Sequence, residues 1–202
     1  MIEFEKSGLF VRSLDAKFEW FQYHSLFSEI LKKLLRKMAP AREGEIHDIA
    51  ARWYKSRGYF EDAIIHSLEN RDLTLAAECM ADWASQLIMD GNLATVEKWY
   101  DQIPLPYLEK HPELLIKIAW SLTFLRRYRK LDIVLAAMDR IQAEAGPDGK
   151  ADQSVVRAMI CTINDDIAGM NAHANKLDET VFDRTDEFSV FQAGSTSILK
   201  GQ

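Results

Sequence analysis

The sequence predicts a mostly α-helical fold, with antiparallel helix pairs behind a short N-terminal β-hairpin. Three observations predict it. First, an apolar helix face ends at a turn residue and a second helix starts at once, and this arrangement recurs. Gly58 is followed by Phe60 and Ala63, and Gly91 by Leu93 and Val96. Arg126 takes the glycine position in the third copy, ahead of Tyr128 and Leu131, and Gly169 and Gly201 continue the series. The steps between these positions are 33, 35, 43 and 32 residues. A step of about 34 residues is the tetratricopeptide period. Glycine suits the inter-helix turn because it accepts positive φ without steric cost. Second, the one long step contains a breaker cluster, Ala145-Gly146-Pro147-Asp148-Gly149-Lys150-Ala151-Asp152-Gln153, which lengthens a connection. Third, aromatic and β-branched runs are concentrated before residue 24. The expected architecture is a tetratricopeptide-like right-handed superhelix with a hairpin at its start.

Taken in order, Leu9–Leu14 and Phe18–Tyr23 read as the two strands, joined by a turn at Asp15-Ala16-Lys17. An isolated hairpin is barely stable in water, so it must pack on the following helix or on a domain ahead of Met1. Ser25 can cap a helix with apolar positions Leu26, Phe27, Ile30, Leu31, Leu34 and Leu35, closed by Pro40 and Gly44. Ile46, Ile49, Ala50, Trp53 and Tyr54 form the next face, which ends at Gly58; Phe60–Leu68 is its partner, with Ala63, Ile64 and Leu68 inward. The second pair covers Leu73–Met89 and Asn92–Ile103, with Asp72 and Asn92 as N-caps. Pro104 and Pro106 stop it and lead to a short turn at Tyr107-Leu108. Pro112 opens the third pair from its first helical position; Leu114, Leu115, Ile118, Ala119, Leu122 and Leu125 form its stripe, and Tyr128–Ala143 its partner. The fourth pair spans Ser154–Ala168 and Asn171–Val181. Asp186 caps a last helix, Phe188–Leu199, whose Val190, Phe191, Ile198 and Leu199 lack a partner helix. Two domains are expected, 1–44 and 45–202, in a chain cut from a longer protein.

The chain has 202 residues, 48% of them hydrophobic, enough for a sizeable core. No apolar run is long enough to cross a bilayer, and the acidic start lacks a signal-peptide pattern, so the expected location is the cytoplasm. Cys79 and Cys161 read as reduced, buried thiols. The net charge of −6 is uneven: residues 1–60 carry 11 Lys/Arg against 8 Asp/Glu, while the remainder is acidic. The acidic repeats are poor candidates for gripping phosphate backbones. The basic cluster Lys32, Lys33, Arg36, Lys37 and Arg42 reads as the solvated face of one helix, with nucleic-acid contact as the competing reading.

The ordered motifs Leu9-Phe10-Val11, Leu14-Asp15, Trp20-Phe21-Gln22-Tyr23-His24 and Leu26-Phe27 precede Ala51-Arg52-Trp53-Tyr54, Gly58, Ala63-Ile64 and His66. Gly91 through Val96 to Trp99, then Ile103-Pro104, extend the series. It resembles the large ATP-binding transcriptional regulators of the LuxR type, the group around the maltose-operon activator, over residues 5–130. The resemblance implies an upstream signal-transducing ATPase, a winged-helix linker, a superhelical sensor and a C-terminal helix-turn-helix. The chain holds no G-x-x-x-x-G-K-[ST] loop and no evident recognition helix. It would be the winged-helix tail plus the start of the sensor, with ATP bound only in an upstream domain.

No active site is expected. The histidines His24, His47, His66, His111 and His173 are scattered, and no H-E-x-x-H is present. Asp165 and Asp166 point to different helix faces, and Cys79 has no nearby base. The groove offers the informative feature. In a tetratricopeptide array the first helix of each pair lines the concave side. Aligning on the turns puts Arg52 and Lys55, then Ser85, Ile88 and Met89, then Trp120, Thr123 and Phe124, then Met159 and Ile163 there. Trp120, Phe124 and Met159 would form an apolar floor; the same residues also suit ordinary inter-repeat core.

The expected function is therefore non-enzymatic. The repeats would bind a small effector or a regulatory protein and relay to ATPase and DNA-binding domains lying outside this chain. The alternative is a stand-alone peptide-binding scaffold. No cofactor, metal, membrane or direct nucleic-acid contact is expected, and a dimer through the unpaired last helix is conceivable.

Overall fold

The computed structural model describes residues 10–17, 19–145, 154–163 and 166–174. It is mostly helical, with a two-stranded antiparallel hairpin near its start. It divides into two compact units, Met1–Ala50 and Ala51–Gln202.

In the first unit, β1 (Val11–Ser13) pairs with β2 (Phe21–Tyr23), with Val11 opposite Tyr23 and Ser13 opposite Phe21. The strands are shorter than the aromatic runs suggest because Asp15 claims the intervening backbone. Its carboxylate accepts hydrogen bonds from the N–H groups of Lys17 (3.2 Å), Glu19 (3.0 Å) and Trp20 (2.9 Å). These bonds offer the chain an alternative to the strand ladder. The His24 N–H donates to the Phe10 carbonyl (2.6 Å), closing the hairpin at its open end. Helix α1 (Ser25–Met38) follows. Here the cap expectation is corrected: Ser25 is the first helical residue, His24 holds the N-cap position, and no side chain caps it. Phe27 stacks on Phe10 (centroids 5.1 Å apart) and lies 5.7 Å from Tyr23, which ties α1 to the hairpin. None of the described residues of this unit is fully buried.

Pro40 does close α1: the helix stops at Met38, with Ala39 as its C-cap directly before the proline, and Pro40 also opens α2 (Pro40–Ser56). Gly44 plays no part in the closure and lies inside α2. Proline tolerates the first helical turn because its missing N–H would be unpaired there anyway. An Arg36–Glu43 ion pair (2.7 Å) spans the α1–α2 junction, and Gly44 costs α2 only about 1 kcal/mol relative to alanine. Of the expected inward face of α2, Tyr54 packs against the core and Ala50 is half-buried, whereas Ile46, Ile49 and Trp53 are exposed; among the described residues of α2, Ala51 is the fully buried one.

The second unit continues with α3 (Phe60–Glu69), α4 (Leu73–Met89), α5 (Leu93–Tyr100), the single turn α6 (Leu105–Leu108), α7 (Pro112–Phe124), α8 (Tyr128–Ala145), α9 (Ser154–Ile163) and α10 (Ile167–Ala174). Consecutive helices pack: α3 on α4, α4 on α5, α7 on α8, α9 on α10. First helices also stack, α4 on α7 and α7 on α9, while α5 packs on α7. The core follows this path through Ile64, Met80, Trp99, Ile118, Leu122 and Val134. Each such fully buried side chain contributes about 1.5–3 kcal/mol. Helix α7 is central: every residue from Leu114 to Thr123 is buried. The Ser121 and Thr123 hydroxyls are satisfied by donating to the Lys117 and Ala119 carbonyls one turn back.

The turn positions have the expected conformation. Gly58 (φ 76), Gly91 (φ 73) and Arg126 (φ 55) are all left-handed. Each turn is completed by the bond from the next residue's N–H back to the carbonyl five residues before: Tyr59 to Tyr54, Asn92 to Leu87, Arg127 to Leu122. This is the Schellman closure, which satisfies carbonyls orphaned at a helix end. Arg71 (φ 58), with Asp72 bonded to Ser67, closes α3 the same way without a sequence signal. Asp72 caps α4, its carboxylate accepting from the Leu75 N–H (3.0 Å); Asn92 sits at the N-cap of α5 without a side-chain bond.

Gly169 is a correction. It lies inside α10, not at a turn, and the first helix of that pair ends at Ile163. Asp166 accepts from the Gly169 N–H (2.9 Å), starting α10 earlier than the glycine series implies. The expected Phe188–Leu199 helix, its Asp186 cap, the Gly201 turn and the breaker cluster beyond Ala145 lie outside the described residues.

Candidate functional site

The residues expected along the groove fall into two groups. At one end, Lys55 on α2 donates to Glu78 Oε2 on α4 (2.9 Å) and lies 3.4 Å from Asp82 Oδ2. Glu78 and Asp82 are one turn apart, so both carboxylates reach one ammonium. Burial pushes the Lys55 pKa down, but the Glu78 hydrogen bond and the two carboxylates outweigh it, and the net direction is up. The hydrogen bond from Lys55 in turn holds Glu78 below the usual carboxylate range. Arg52 is exposed, with Nη2 3.8 Å from Asp72 Oδ2.

At the other end, Trp120 is only 2% exposed and Thr123 equally buried, both within the α7 core. Trp120 meets Phe124 with ring centroids 5.5 Å apart, and Phe124 is 46% exposed. The pair joins core to surface: one ring packs inside and the next stands at the rim. Met89 is exposed, Ile88 buried, and Ser85 and Met159 half-buried, Met159 against the core. Ile163 is the last residue of α9. The structure thus brings together Lys55 with its two carboxylates, and Trp120 with Phe124.

A cavity of about 290 Å³ between α4 and the start of α7 was not signalled by the alignment on turns. It is lined by Ala81, Lys110, His111, Pro112, Glu113, Leu114 and Lys117. Lys117 is only 8% exposed and is the charged residue in the buried run of α7, which also holds Ser121 and Thr123. The lining mixes a small apolar wall with converging basic groups and one carboxylate, the composition of a site that orients a small polar ligand. Lys110, His111 and Lys117 could have been grouped from sequence only by knowing that α6 is a single turn that folds Lys110 back onto α7. A larger hollow, about 520 Å³, opens on the hairpin beside Arg12, Gln22 and Tyr23.

Cys79 is fully buried, and burial pushes its thiol pKa up to about 11, so it stays protonated at neutral pH. Cys161 is half-buried, its thiol also pushed up, first by burial and then by Asp166. Among the described residues no three His, Cys, Asp or Glu side chains converge as metal ligands would. Among them, too, no helix is long and apolar enough to cross a membrane.

Residues 1–43 match the family model of the MalT winged helix domain. The matched stretch takes in the hairpin and α1, so this part of the chain is similar to the winged-helix portion of a MalT-like regulator. No solved structure matches the chain.

Proposed function

We propose that this chain is the winged-helix tail and the first part of the sensor of a LuxR-type, ATP-dependent transcriptional regulator. One observation carries the reading: a stretch similar to the MalT winged helix domain runs directly into stacked helix pairs whose left-handed turns recur at Gly58, Gly91 and Arg126. The helix pairs would form a tetratricopeptide-like sensor. A small effector or regulatory protein would bind on its first-helix side, between Lys55 and Phe124, with the cavity beside Lys117 receiving the small polar part of the ligand.

Binding would act by population shift. A ligand that prefers one arrangement of the helix pairs biases the whole chain toward it, by no more than its differential affinity. The relay would run to ATPase and DNA-binding domains of the full-length product. In this reading the chain's role is binding and relay, and the location that fits it is the cytoplasm.

Peptide mapping of the native gene product tests the assignment. A product with a P-loop peptide ahead of residue 1 and a helix-turn-helix peptide after 202 is the expected result; a product lacking both overturns it. Thermal melts test the sensing role. Stabilisation by small molecules supports effector sensing, whereas stabilisation by peptides alone points to a protein-binding scaffold.

A further inference from the structure

We infer that the cavity between α4 and the start of α7 takes a small hydroxy or amino carboxylic acid. This deepens the sensing role proposed above and rests on it. The cavity measures about 290 Å³, room for roughly ten waters at their liquid volume. That is the lower end of the range for small-molecule pockets, and too little for a peptide segment.

Charge names the first group of the ligand. Lys110, His111 and Lys117 line the cavity, with Glu113 as the carboxylate among its lining residues. The acidic side chains around it are engaged: Glu78 and Asp82, on the same helix as Ala81, by Lys55, and Glu109 by Arg140. The lining thus sets two ammonium groups against one carboxylate, a surplus matched to one negative charge; a phosphate dianion would be left half neutralised. Lys117 gives the surplus its strength. It is 8% exposed, and attraction between charges grows as water is excluded. Lys110 is exposed, its ammonium 5.3 Å from the centre of the Tyr107 ring, so the two lysines mark the open and the closed side of the cavity. The backbone adds to this. No side chain caps α7, and its first turn, which lines the cavity through Pro112, Glu113 and Leu114, is the positive end of the helix dipole.

Glu113 names the second group. It lies one turn ahead of Lys117 on α7, so an acid held by Lys117 brings its neighbouring atoms to the Glu113 carboxylate. An ionised carboxylate only accepts hydrogen bonds, which favours a hydroxyl or an ammonium at that place. Ala81 and Leu114 supply an apolar wall for a short carbon chain.

Titration calorimetry on the whole 202-residue chain tests this, with lactate, glycerate and serine as probes. Each is paired with its primary amide, which keeps the size and loses the carboxylate. The expected result is saturable binding of at least one acid, about tenfold or more tighter than its amide, the margin of one charge-assisted hydrogen bond. Lys117→Met should abolish that binding. Lys110→Gln, at an exposed side chain, should weaken it at an unchanged thermal melt, which keeps the inference open to test if the first variant misfolds. Glu113→Gln should erase the preference for the bound acid over propionate, which lacks the hydroxyl or amino group. Binding of no acid, equal binding of acid and amide, or binding unchanged in both lysine variants overturns the inference. So does binding of inorganic phosphate with no acid bound, which reassigns the basic groups to a phosphoryl ligand. These outcomes are separate from the regulator assignment. A native product with P-loop and helix-turn-helix peptides that binds none of the acids keeps that assignment and loses the ligand class; acid binding by a product lacking both peptides does the reverse.

Discussion

At the scale of residues, two glycines separate two physical roles. Gly91 has φ 73, and a Cβ built on it would meet nothing within 4 Å, so only its backbone conformation requires glycine. Left-handed backbone costs an L-residue roughly 1–2 kcal/mol. Gly91→Ala should therefore lower unfolding stability by about 1 kcal/mol in urea titration, with an unchanged m-value. Arg126 already bears such a cost at φ 55. Gly169 is the opposite case. A Cβ there would run into the Asp166 carboxylate and lie 2.9 Å from Cys161 Sγ, so the obstacle is space. Gly169→Ala should break the Asp166 bond that starts α10 and cost more than Gly91→Ala. Equal losses in the two variants would contradict this division. The sequence series treats both glycines alike, because a one-letter pattern cannot distinguish a residue kept for φ from one kept for lack of a Cβ.

At the scale of elements, the helices bounded by strong local chemistry were legible and the others were not. Leu73–Met89 is bounded by the Asp72 cap and the Gly91 turn, and Pro112 marks the start of α7; all were readable from sequence. Gly44 misled because glycine inside a helix costs only about 1 kcal/mol relative to alanine, too little to end a helix of 17 residues. The groove was hardest to read. Helix α7 is buried from Leu114 to Thr123, so it has no polar face to mark which side is solvent, and an error of one position rotates a side chain by about 100°. Trp120, aligned as groove floor, is only 2% exposed. Trp120→Ala should consequently cost about 3–5 kcal/mol, the range for truncating a core aromatic. Phe124→Ala, at a half-exposed ring, should cost far less and is the informative substitution for binding. A Trp120→Ala protein that melts like the parent would place that ring in the groove after all.

At the scale of the whole molecule, the helix pairs are joined by ion pairs as well as by apolar contact. Lys98 reaches back to Glu61, Arg127 and Lys130 reach back to Glu97, Lys130 also to Asp101, and Arg140 to Glu109. These partners lie 29 to 37 residues apart, close to one repeat, so each bond links one helix pair to the next. In a stacked array, stability is roughly a sum of units and nearest-neighbour interfaces, and such links belong to the interface part. Glu97 is the hub. Its side chain is only 14% exposed and accepts from Lys130 (2.7 Å) and Arg127 (3.0 Å). The hydrogen bond from Lys130, then that from Arg127, holds its pKa below the ordinary carboxylate value against the opposing pull of burial. Lys130 is shifted up, first by Asp101 and then by Glu97. The signs set the pH window. A carboxylate whose pKa is lowered on folding stabilises fully above its unfolded value and loses that contribution as pH falls through the folded value. An amine whose pKa is raised stabilises below its ordinary value and loses that as pH climbs past the raised one. Stability should therefore be flat through neutral pH and fall on the acid side, beginning just below the ordinary glutamate pKa. Glu97→Gln should lower Tm at pH 7 by about 2–4 °C, the shift for a loss near 1 kcal/mol in a chain of this size. The difference between parent and variant should vanish once pH drops below the folded Glu97 pKa and should shrink in 1 M salt, where the screening length is about 3 Å. A parent–variant difference that persists unchanged at low pH would show that Glu97 acts through packing rather than charge.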